Sequence, residues 1–127
     1  MAWMRVRFEL ARSKDFPEGS HRHGYEFVLP LDKDGRIDLG TYRRTPELCT
    51  VHRFWAGGND VVGTIKHMGH GRWLFSFHRD EMENESIPHF AEHPFRESDY
   101  RSVRERDGTE HTFRIVLVEP APGLAPG

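Results

Sequence analysis

The run GSHRHGYEFVLPLDKDG, residues 19–35, decides how this chain is read. Tyr25, Phe27, Leu29 and Leu31 fall two apart, with Arg22, Glu26 and Asp32 on the alternate positions. That is the period of a strand with one face on a core and one in water. Asp-Lys-Asp-Gly then turns the chain, and Gly35 supplies the positive φ such a turn asks for. His21 and His23 extend the alternation upstream, so both are expected on the inward face, at the mouth end of the strand.

The same period recurs on both sides of this run. MRVRFELA alternates Val6, Phe8 and Leu10 with Arg5, Arg7 and Glu9, and RIDLGTYR, CTVHRFW, VVGTIKHM and RWLFSFHR follow at similar spacing. Trp73, Phe75 and Phe77 share one side of the last of these and read as core. DEMENESIPHFAEHPFRESD shows no sustained period and reads as one long irregular loop over residues 80–99 with a single helical turn. YRSVRERDGTEHTFRIVLVEP then forms a hairpin about Asp107-Gly108. Its register stays open: a two-residue turn points Tyr100, Ser102 and Arg104 inward, whereas a bulged turn points Val103 inward.

Short strands joined by glycine turns predict an all-β fold, a small antiparallel β-barrel or sandwich of about seven strands. The barrel is favoured because closure removes exposed sheet edges. With 127 residues the chain suits one domain, placed at residues 1–119, and the tail over residues 120–127 reads as disordered.

Eighteen basic and 20 acidic residues leave a formal charge of −2, so no global positive field draws nucleic acid or anionic lipid. Lysine occurs only at positions 14, 33 and 66, but the arginines are spread over every segment instead of marking one site. Cys49 is the single cysteine, which excludes an internal disulfide and a cysteine-based zinc cluster and suits a reducing cytoplasm. It reads as a buried, inert thiol. No apolar run is long enough to span a bilayer, and MAWMRVRFEL is not a signal peptide, so no membrane partner is expected.

His-x-His on a strand is a pattern that can hold a divalent transition metal, zinc or iron, with one of His52, His67 or His111 as third ligand. HRHGYEF, with Glu26 and Gly35 following, resembles the first motif of the cupin family, which places two histidines and a glutamate inside a barrel. Glu26 comes earlier than in that family and alternates away from the histidines. HRHGYEFVLPLDKDGRID is also similar to the 6-pyruvoyl-tetrahydropterin synthase family, in which His-x-His supplies two of three zinc ligands, though RFELARS lacks the histidine that would be the other. FPEGSHRHGYEFVLPLD, VHRFWAGGND and SVRERDGTEHTFRIV together resemble an uncharacterised family of small bacterial all-β proteins. That likeness implies a bacterial cytoplasm and no particular activity.

Other motifs carry less. DKDGRID mimics the centre of a calcium loop, but Pro30 and Thr41 stand where its outer ligands belong. FWAGGND lacks the glycine spacing and following helix of a phosphate cradle. His67, His70, His78, His89 and His93 read as solvated. The reading that demands least is a non-enzymatic barrel module that binds a small ligand or a protein through Tyr25, Arg53, Trp55 and Trp73. A metal-dependent protein using His21 and His23 is the alternative, and a barrel binding single-stranded nucleic acid is the third.

Overall fold

The computed structural model describes residues 1–58, 60–77, 84–105 and 107–121. These residues form eight antiparallel strands in succession: β1 (Ala2–Leu10), β2 (Ser20–Leu31), β3 (Thr50–Trp55), β4 (Val61–His67), β5 (Trp73–Phe77), β6 (Glu85–Ser86), β7 (Tyr100–Arg104) and β8 (Glu110–Pro120). Each pairs with the next, and β8 returns to β1, so the sheet closes into an up-and-down barrel. His78, residues 122–127 of the tail and the start of the long loop lie outside the described residues. At the other edge of that tail, β8 runs to Pro120 and the Ala121 N–H donates to the Trp3 carbonyl at 2.9 Å.

Alternation chooses the inward side chains. Val6, Phe8 and Leu10 from β1 and Tyr25, Phe27, Leu29 and Leu31 from β2 are all buried, together with Phe75, Phe77, Phe113 and Ile115. At this strand number an interior is just wide enough for side chains to fill it. Here aromatic rings do so: Phe27 meets Phe8 edge-on at 4.9 Å, and Phe75 lies 4.9 Å from Tyr25.

Two segments depart from the strand pattern. RIDLGTYR yields a single bridge, Leu31 to Ile37, and then the helix α1 (Leu39–Arg44). The Asp38 carboxylate accepts from the Thr41 N–H at 3.0 Å, and this cap competes successfully with an extended continuation. Tyr42 thereby reaches into the barrel end, donating to the Ile65 carbonyl at 2.8 Å and accepting from the His67 N–H at 3.0 Å. Within the expected irregular loop, Glu85 and Ser86 form β6, which pairs with Leu74 and Phe75 on one side and Arg104 on the other. Residues 87–99 contain turns, and the segment around His89 and His93 is a turn rather than helical.

The two ends of the barrel differ. Around α1, Trp73, Phe90 and Phe95 fill the end, with Phe90 5.0 Å from Phe95 and 5.8 Å from Trp73. Arg101 fastens this plug. Its Nε donates to the Phe90 carbonyl at 3.1 Å and its Nη2 to the His93 and Pro94 carbonyls at 2.8 and 3.1 Å. The opposite end, where β1, β3, β5 and β7 finish, is the mouth. There the last hairpin adopts the bulged register: Val103 pairs with His111 and is buried, while Tyr100 is exposed.

Candidate functional site at the barrel mouth

β2 enters the mouth through an irregular pairing. Glu9 stands opposite Gly24, but Leu10 stands opposite Ser20, so residues 21–23 bulge out of the ladder with β1, while His23 keeps its pairing with Trp55 of β3. The bulge breaks the alternation that would have aligned the two histidines. His21 is exposed and its carbonyl accepts from Arg7, whereas His23 is buried. The His23 ring lies 4.8 Å from Phe16 and 4.6 Å from Trp55, and its Nδ1 is 2.7 Å from the Ser20 hydroxyl. Burial lowers its pKa, with Arg22 and Arg53 adding to the shift.

The other histidines named as ligands are dispersed. His52 pairs with Asp60 on the outer wall at 3.1 Å, and His67 stacks on Trp73 at the plugged end. Only His111 reaches the mouth, 5.6 Å from Trp55. Among the described residues no group of three His, Cys, Asp or Glu side chains is placed to hold a metal ion.

β3 supplies the decisive side chain. Val51, Arg53 and Trp55 alternate inward, so a guanidinium enters the barrel with 13% of its side chain exposed. It stacks on the Trp55 ring, 4.4 Å from the centroid. Glu85 of β6 lies below it, 3% exposed, and accepts a 2.6 Å hydrogen bond from the Tyr25 hydroxyl. Arg53 Nε is 3.5 Å from Glu85 Oε1, and Nη2 is 3.6 Å from Glu105 Oε1. Both separations exceed the ~2.7–2.9 Å of a charge-assisted hydrogen bond. Among the described residues Arg53 Nε is buried without a hydrogen-bond partner.

Burial raises the Glu85 pKa, the Tyr25 hydroxyl and Arg53 pull it back, and Glu105 pushes it further up. Burial, reinforced by the Glu85 charge, holds the Tyr25 hydroxyl well above its ordinary range, so Tyr25 stays a donor. No family model, curated protein or solved structure matches the chain.

Of the four side chains expected to bind a ligand, Tyr25, Arg53 and Trp55 meet at the mouth. Trp73 packs at the other end, against Tyr42 at 5.1 Å. Nothing in the sequence singles out Glu85 or Glu105. Glu85 is two residues from Ile87, a two-residue period too brief to stand out in an acid-rich run. Arg101 carries no signal in the sequence either, because only the folded loop brings three carbonyls to its guanidinium. Cys49 is buried beside β3 and its thiol is pushed up to about 12, as fits an inert group. No helix among the described residues is long and apolar enough to cross a membrane.

Proposed function

We propose that this chain is a non-enzymatic small-ligand-binding barrel that holds its ligand at the mouth, against Trp55, Arg53 and His111. The observation that carries this reading is Arg53: a guanidinium inside an aromatic barrel, stacked on Trp55 and held just beyond hydrogen-bonding distance of two carboxylates. Ion pairs taken out of water seldom stabilise a fold more than apolar side chains of the same size would. A buried donor left without a partner costs about 1–3 kcal/mol. Both facts favour a cluster kept for recognition over one kept for stability. The aromatic filling below Tyr25 keeps the ligand at the rim.

A fragment screen by protein-observed NMR tests the reading. Fragments that shift the Trp55 indole and Arg53 side-chain signals should lose binding in Arg53→Met and in Trp55→Leu, and keep it in Arg114→Ala on the outer wall. Fragments that bind all three variants alike would overturn it.

A further inference from the structure

Resting on the mouth as a ligand site, we infer that it selects a neutral carboxamide or lactam edge on a flat ring, in preference to a carboxylate or an amidinium. Two groups that face each other at the mouth carry the argument, Arg53 with 13% of its side chain exposed and Glu105. Arg53 Nη2 offers N–H donors, and 3.6 Å away Glu105 Oε1 offers an acceptor on a side chain 33% exposed. A carboxamide has a carbonyl acceptor and an N–H donor side by side. It satisfies both rim groups at once.

Charge selects in the same direction. One guanidinium already faces two glutamates, Glu85 and Glu105. A carboxylate ligand would bring a third anion to this partly desolvated spot, and an amidinium would set a second cation beside Arg53. Like charges a few ångströms apart cost far more in a low-dielectric site than in water. A neutral amide adds neither repulsion. Discrimination by hydrogen-bonding groups that would otherwise remain unpaired is also steep.

The flat ring follows from the collar. Trp55 stands between His23 at 4.6 Å and His111 at 5.6 Å, with Phe113 at 6.4 Å behind. His23 and Phe113 are buried against it, whereas Trp55 and His111 are only partly buried and leave aromatic surface at the rim for a planar ligand.

Benzamide, benzoate and benzamidinium have one shape and differ in the charge and donors of their head group. Each is titrated into the full chain at pH 7.5 and followed by protein-observed NMR, with Glu105→Leu as the comparison variant. Benzamide should bind at least ten-fold more tightly than either charged analogue, and Glu105→Leu should weaken it at least three-fold. Benzoate or benzamidinium binding as tightly as benzamide overturns the inference. So does benzamide failing to bind while other fragments bind dependent on Arg53, which leaves the mouth as a ligand site. If no compound of any class binds dependent on Arg53, both readings fall.

Discussion

Arg53 and Arg101 are two inward arginines with opposite roles. Arg101 is buried and gives its N–H groups to the carbonyls of Phe90, His93, Pro94 and Tyr100. Hydrogen bonds from charged donors are worth about 1.5–3 kcal/mol each, and carbonyls left bare add a penalty. Arg101→Met should therefore lower stability by about 3 kcal/mol or more in urea unfolding. Arg53 offers the contrast. Arg53→Met combined with Glu85→Gln should leave the urea midpoint unchanged or raise it, because the variant no longer has to desolvate an imperfect ion pair.

His23 gives a pH dependence at the same scale. Its folded pKa is depressed, so between that value and the ordinary 6.5 the unfolded chain binds more protons than the folded one. Its contribution to stability is present above 6.5 and is lost as pH falls toward the folded pKa. Glu85 acts in the opposite sense: its folded pKa is raised above the ordinary 4.5, so its contribution is lost as pH rises through the folded value. His23→Gln should flatten the fall in melting temperature between pH 7.5 and 5.5, and Glu85→Gln should remove the fall that Glu85 contributes as pH rises above 4.5. Melting curves at four pH values check both.

At the level of elements, the barrel wall depends on backbones that approach closely. A Cβ on Gly63 would sit 2.1 Å from the Ser76 carbonyl oxygen, which belongs to the neighbouring strand and has no flexible end to yield. Overpacking of this kind costs about 1–3 kcal/mol, so Gly63→Ala should lower the urea midpoint by a corresponding amount without emptying the mouth. The helix α1 is the weaker element. Asp38→Ala removes its cap and should cost about 1 kcal/mol. That loss should be read by hydrogen exchange at Thr41 and Tyr42.

Alternation explains which elements were legible. β1, β2, β5 and β8 are long or cleanly alternating, so their apolar faces stand out. β6 is two residues long, below any periodic signal, and it exists because Leu74, Phe75 and Arg104 present backbone partners to it. The bulge at residues 21–23 is similarly silent in a sequence, since a His-x-His pair reads the same in a regular ladder as in one that has slipped.

For the whole molecule, closure between the first and last strands makes the core a single unit. Phe90 touches this core from a loop, lying 5.6 Å from Phe27, 6.0 Å from Phe75 and 5.0 Å from Phe95. Phe90→Ala should cost about 3–5 kcal/mol, a large part of the ~5–15 kcal/mol that holds a domain together. Its unfolding should remain a single transition with the same midpoint by tryptophan fluorescence and by circular dichroism.

By itself the sequence determined the all-β class, the inward face of most strands, and the inward aromatics that fill a barrel of this size. Period-two patterning is a local property, and burying the patterned face leaves few ways to arrange the strands. Only the tertiary structure decided which polar side chains meet. Tyr25, Arg53, Glu85 and Glu105 come from four segments spread over 80 residues of chain, and their encounter depends on register, on a bulge and on strand closure. Those are set by long-range pairing, which no short stretch of residues encodes. His21 and His23, close together in the chain, are parted by the same geometry that brings Arg53 and Glu85 together.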